Sequence, residues 1–325
     1  MGTQVRAGGA VLCLLLLAVL GAGCQAASGP ESQQTKRADR ATPTTTVPVT
    51  EPAASSATHK PRKRPRHPTP PSITVPPSLR KALENRPILG ADVSWPQCPK
   101  GMGIAEKPTR GLPMPVDAAR FVVLGLTNGP GFTPNPCLAD QVAWVRGRGL
   151  LAAAYAVVSY PDARTLSEAG RRGPFDASTP LGRLSNVGYQ QAAFNVSTLQ
   201  RAGLATPIIW LDVEPVPLFD WSSDPVSNAA VVRGAARGYT DAGYGIGAYS
   251  TQSLWERVVG HLTLGIPEWR SAGQTSRAEA LRRCGRGRMF QGGVAVLSQW
   301  VESGRDYNVT CPGTSAQIAA WFHQY

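Results

Sequence analysis

The chain of 325 residues has room for two average domains, and 42% hydrophobic with 17% charged residues is enough apolar material to bury a core. Its formal charge of +12 is uneven: residues 25–86 hold eleven Lys or Arg against four Asp or Glu, and only +4 falls on residues 87–325. The strongly basic character thus belongs to one segment and is excluded as a property of the bulk of the chain.

Arg6, the apolar run Val11–Leu20 and the small residues Gly21-Ala22-Gly23-Cys24 predict an export signal over residues 1–24. The run is too short to cross a hydrocarbon layer of about 30 Å, which takes roughly 20 apolar residues as helix. No later segment is apolar enough to be a second span. A small-residue stretch ending in cysteine resembles a bacterial lipoprotein signal, which implies lipidation of Cys24 and a membrane anchor facing the cell wall. Plain secretion is the alternative. Residues 25–86, rich in Pro, Thr, Ser and Ala, cannot bury enough surface to offset the entropy of ordering and predict a disordered spacer. Within it, the basic run from Lys60 to Pro68 suits anionic headgroups or wall polymers, or simply keeps the spacer extended. Export makes nucleic acid a poor partner.

From Pro87 short apolar runs alternate with helical patterns. Strands are expected at Ile88–Trp95, Arg120–Thr127 and Leu150–Ser159, with a helix at Leu138–Gly149. The stretch Tyr160–Ser185, with Gly173-Pro174 and Thr179-Pro180, reads as a long irregular loop at the end of a barrel where sites form. A helix at Gly188–Ala202, a strand at Pro207–Glu214, a helix at Val226–Ala242, a strand at Tyr244–Ser250 and a helix at Ser253–Val259 follow. Strands near Ile266–Ser271, Val294–Trp300 and Asp306–Val309 and a helix over Thr314–Phe322 complete the chain. Early alternation of strand and helix, then strands with less helix between them, predicts an α/β fold, a parallel barrel with an irregular final third.

Removing the signal and lipidating Cys24 leaves Cys98, Cys137, Cys284 and Cys311. An even number in an exported chain suggests two disulfides, with three possible pairings. Cys98–Cys137 and Cys284–Cys311 are favoured because each pair joins loops after neighbouring or nearly neighbouring strands. No Cys-x-x-Cys spacing supports zinc. His59, His67, His261 and His323 lie in linker, helix or tail, and no nucleophile motif is present. Neither metal nor cofactor is expected.

Asp212 and Glu214 stand two apart on an expected strand, so both point to one face, about 7 Å apart along the backbone. They fall at the C-terminal strand end, where reacting groups of parallel barrels collect. Two carboxylates this close repel, and one holds its proton to higher pH. A protonated acid beside an ionised partner is the arrangement that glycoside cleavage requires. Taken alone, the pair fits solvated or salt-bridged surface residues as well.

Gly90-Ala91-Asp92-Val93-Ser94, Trp210-Leu211-Asp212-Val213-Glu214, Ile246-Gly247-Ala248-Tyr249-Ser250, Gln299-Trp300 and Asp306-Tyr307-Asn308 occur in this order. Together they resemble the family 25 glycoside hydrolases (lysozymes) and the related actinobacterial domains across residues 88–325. The resemblance implies an irregular TIM-type barrel of eight strands and five helices, with muramidase-like action on peptidoglycan. It makes Glu214 the general acid and places Asp212, Asp92 and Asp306 in the acidic cluster around it. The third strand departs from the family, reading Ala153-Ala154-Tyr155-Ala156-Val157 where an aromatic or histidine is usual. Trp95, Tyr155, Tyr249 and Trp300, at strand ends, are expected to face the sugar together with Gln299. The expected partner is peptidoglycan or another envelope polysaccharide, met as a monomer. A glycan-binding or structural envelope protein on the same barrel is the alternative to an enzyme.

Overall fold

A computed structural model describes residues 86–325. The expected signal, Cys24 and the spacer up to residue 85 lie outside the described residues. Eleven strands are described: β1 (Leu89–Val93), β2 (Gly103–Ile104), β3 (Lys107–Pro108), β4 (Phe121–Gly125), β5 (Leu151–Val157), β6 (Ile208–Asp212), β7 (Gly245–Ser250), β8 (Glu268–Gln274), β9 (Ala295–Glu302), β10 (Arg305–Thr310) and β11 (His323–Gln324). The helices are α1 (Leu138–Gly147), α2 (Ala163–Ala169), α3 (Pro180–Arg201), α4 (Pro225–Asp241), α5 (Gln252–Val259) and α6 (Arg277–Arg283).

The sheet runs β5-β4-β1-β10-β9-β8-β7-β6 and closes because β6 also pairs with β5. Eight strands therefore form a barrel, and β11 adds to the edge of β5 at its base. All barrel neighbours are parallel except β10, which is antiparallel to both β1 and β9. A hairpin joins β9 to β10 through Ser303 and Gly304, both with positive φ. That is the mirror-image turn that matches strand twist, and it leaves no helix in the last crossover. This is the irregular final third that the sequence predicts.

Strand alternation divides the interior from the helix layer. Val122, Leu124, Ile209 and Leu211 pack outward against the helices. Phe121, Val123, Ile208 and Trp210, one residue out of phase, fill the barrel. Phe121 meets Phe322 at 4.7 Å between ring centroids, and Ile318 and Trp321 close the same N-terminal end of the parallel strands. The barrel is thus plugged with carbon at one end and polar at the other.

Three sequence expectations are corrected. The irregular stretch Tyr160–Ser185 contains α2 and the first turns of α3. Asp162 Oδ1 accepts from Thr165 N at 2.6 Å, and Thr179 Oγ1 accepts from Gly182 N at 3.0 Å with Pro180 in the first turn. A proline at the start of a helix loses no hydrogen bond, so Thr179-Pro180 opens a helix where it was read as a loop. Six α-helices are described, not five, because Ser276 caps α6 between β8 and β9. The expected last helix is a 3-10 turn at Ser315–Ala320.

Both favoured disulfides are formed, Cys98–Cys137 and Cys284–Cys311, with Cα separations of 5.5 and 5.6 Å. Among the described residues no helix is long and apolar enough to cross a membrane.

Candidate functional site

Because β1, β6, β9 and β10 place alternate side chains inward, Asp92, Asp212, Gln299, Asp306 and Asn308 all enter the barrel near its C-terminal end. All but Asn308, which lies beneath Asp92, open onto a cavity of about 360 Å³ that also takes in Glu214, Tyr155, Tyr249 and Trp269. Strand β6 ends at Asp212, so Glu214 sits on the mouth and not on the strand as read from sequence. Asp212 lies deeper and is buried, while Glu214 is half-buried.

Asp92 is the most tightly held of the acids. Its Oδ1 accepts from Asn308 Nδ2 at 2.6 Å and from Gln299 Nε2 at 3.0 Å. Asn308 accepts in turn from Trp269 Nε1 at 2.6 Å, and Gln299 Oε1 from the Tyr249 hydroxyl at 2.7 Å. One hydrogen-bonded chain thus spans β7, β9, β1, β10 and β8 and fixes each amide's orientation. Asp212 is the opposite case: its Oδ1 is buried without a hydrogen-bond partner among the described residues.

Four carboxyls crowded into one cavity do not all ionise together. Burial, then the charge of Asp306, pushes Glu214 up to about 7, and the Lys107 ammonium pulls against that rise. Burial first, then Glu214 and Asp92, holds Asp212 well above the usual carboxylate range. Burial and Asp306 raise Asp92 despite its amide donors, and burial raises Asp306. The phenols of Tyr155 and Tyr249 are driven up by burial and by the neighbouring acids, so they stay neutral donors.

The aromatic wall differs from the expected one. Trp95, Tyr155 and Tyr249 line the cavity, and Gln299 lies between Tyr249 and Asp92. Trp300 does not reach it: next to inward Gln299 it points outward, 3% exposed, stacked on Tyr307 at 5.1 Å. Trp269 takes the inner place, edge-on to Tyr155 at 5.7 Å and tilted against Tyr249 at 4.5 Å. The neighbours Glu268 and Arg270, both buried outside the barrel, would have marked its phase.

Lys107 and Ser271 also line the site without having been singled out for it, and Asn308 supports it from beneath through Asp92. Lys107 arrives on the small β2–β3 hairpin, inserted in the connection between β1 and β4. Buried Asn128 fastens that hairpin, accepting from Ile104 N at 2.9 Å and donating to the Lys107 carbonyl at 3.0 Å. The ammonium stands 6.0 Å from the centroid of the Trp95 ring. Trp95 itself begins a 3-10 turn braced by Gln97, whose Oε1 accepts from Ser94 N at 2.8 Å, and by the Cys98–Cys137 bridge to the start of α1. Gly125 is required here, since a Cβ would collide with Ser94 and the Tyr155 ring.

A family model described as lysozyme-like protein 1 matches residues 178–272, the stretch that contains Asp212, Glu214, Tyr249 and Trp269. No curated protein matches the chain. Among solved structures the chain is similar to the modular autolysin LytC of Streptococcus pneumoniae in complex with a synthetic peptidoglycan ligand. The identity is 11% and the TM-score 0.42, over 69% of this chain and 46% of that one, so the chain spans under half of that protein's length. A family GH25 lysozyme from Aspergillus fumigatus is 18% identical with a TM-score of 0.45, over 72% of this chain and 99% of the other. The bacterial lysozyme of Streptomyces coelicolor is 13% identical with a TM-score of 0.45, over 72% and 97%. The family match is of lysozyme type, which is the resemblance read from the sequence.

Proposed function

We propose that the chain is a cell-envelope glycoside hydrolase that cleaves the glycan strands of peptidoglycan, with Glu214 as general acid. One observation carries this reading: a carboxyl at the cavity mouth held up to about 7 beside three further acids. At near-neutral pH Glu214 retains a proton it can give to a glycosidic oxygen as the bond to the anomeric carbon breaks. Water then adds to that carbon and returns its proton to Glu214. Ionised members of the acidic set stabilise positive charge developing on the sugar, or orient its acetamido group. Asp92, fixed by two amide donors, suits a positioning role, and Asp212, without a partner on Oδ1, is free to meet the substrate. Trp95, Tyr155 and Tyr249 offer faces and hydroxyls to a sugar ring.

The polysaccharide partner, the anchor at Cys24 and a position outside the membrane facing the wall belong to the same proposal. The two disulfides, which persist in oxidising compartments, support export. Purified protein should digest cell walls, followed as loss of turbidity, and Glu214→Gln should abolish this. Equal digestion by that variant would overturn the assignment. A wild-type protein that binds walls and releases nothing would favour a binding protein on the same barrel.

A further inference from the structure

Ser271 lines the acidic cavity and also a second one of about 230 Å³. This neighbour opens between the start of α5 and the end of β8, at the same end of the barrel. Thr251, Ser253 and Glu256 line it from one side, and Arg270, Arg283 and Arg288 from the other.

Arg270 is 3% exposed and held rigidly. Its Nε donates to Glu268 Oε2 at 2.7 Å, and its Nη1 to the carbonyls of Arg283 and Gly285 at 2.8 and 2.6 Å. Glu268 is occupied further by the backbone N–H groups of Gln291 and Gly293, at 3.0 and 3.1 Å. The Nη2 of Arg270 makes no hydrogen bond to the described residues, and the Nε of Arg283 is buried without a hydrogen-bond partner among them, which is costly unless a ligand or water meets it. Arg283 Nε lies 3.1 Å from Glu279 Oε1 but makes no hydrogen bond to it, and Arg288 is exposed with no ion pair among the described residues. Thr251, which caps α5 by accepting from Leu254 N at 3.1 Å, and Ser253 add hydroxyls to the lining. Glu256 is the single carboxylate of the lining.

We propose that this second cavity is a subsite for a carboxylate carried by the polymer whose sugar occupies the acidic cavity, such as a peptide branch of wall glycan. The proposal rests on reading the first cavity as the glycan site. The first cavity is crowded with carboxyls, whereas the second presents guanidinium N–H donors and a single lining carboxylate, so a carboxylate branch finds its donors in the second. That fixes the direction in which a branched strand lies. Calorimetry tests it with soluble muramyl-peptide fragments bearing free carboxylates and the same fragments amidated. The wild type should bind the acidic fragments about tenfold more tightly, and the preference should fall with salt. Arg288→Gln, at an exposed position that leaves the fold intact, should lose most of the preference. Arg237→Gln, on the outer face of α4, should keep it. Equal binding of both fragments by the wild type, or an undiminished preference in a folded Arg283→Gln/Arg288→Gln double variant, would overturn the subsite. Failure of the glycan-cleaving reading is separate: it would show as no reducing ends from any glycan, whatever the binding preference.

Discussion

A carboxyl raised to about 7 has two pH signatures at residue 214. As an acid catalyst it works only while protonated, so kcat/KM should fall about tenfold per pH unit on the alkaline side, with a midpoint near 7. Lys107 favours the ionised form of Glu214, so Lys107→Met should move that midpoint upward. A midpoint that stays or falls in Lys107→Met would show that the two charges do not interact. The stability consequence runs the same way. The unfolded chain ionises Glu214 near its ordinary 4.5 and the folded one near 7, so the folded state binds more protons between them. Stability contributed at acid pH is therefore lost as pH rises through that window. Glu214→Gln should be the more stable protein at pH 8, by no more than about 3 kcal/mol, and less as water screens the mouth. Denaturant melts at pH 4 and 8 measure this, and no gain at pH 8 would contradict it. The acids themselves were legible as short motifs. Lys107 was not, because a hairpin of two-residue strands carries it and no periodicity marks such an element.

At the scale of elements, α3 and α4 approach closely enough that two positions admit no side chain. A Cβ on Gly188 would run into the Val231 carbonyl, and one on Gly234 into the Ser185 carbonyl. Gly234→Ala should separate the helices and cost about 1–3 kcal/mol, read as a lower thermal midpoint. A midpoint equal to the wild type's would show that the pair relaxes freely. Hydrophobic runs such as Phe121–Leu124 and Ile208–Leu211 marked the early strands, since a strand buried on both faces reads as continuous apolar sequence. By contrast β8 and β10, which carry Glu268, Arg270, Asp306 and Asn308, show no such run. The runs did not give side-chain phase, which is why Trp300 was expected inside and Trp269 was not chosen. Phase follows from neighbours: Gln299 inward sends Trp300 outward, and buried Glu268 with Arg270 turns Trp269 inward. The helix starts at Asp162 and Thr179 were written as capping residues, but the nearby glycines and prolines outweighed them in a linear reading.

For the whole molecule, closure of the barrel gathers residues from β1, β6, β9 and β10 that are far apart in sequence. Asn308 and Asp92, 216 residues apart, share a hydrogen bond. The two disulfides fasten the β1 loop to α1 and the end of α6 to the end of β10. By loop entropy the bridges, spanning 39 and 27 residues, each contribute about 3–4 kcal/mol. Cys98→Ser/Cys137→Ser should lower the thermal midpoint and also loosen the Trp95 turn, raising KM; a lower midpoint with KM unchanged would deny that turn a part in binding. The central claim concerns chemistry in the acidic cavity, and one paired measurement addresses it most directly. Wild type and Glu214→Gln should be given the same isolated wall glycan, with bound protein and released reducing ends both counted. The account predicts binding by both and reducing ends from the wild type alone. Reducing ends from both at equal rate, or from neither, would contradict it.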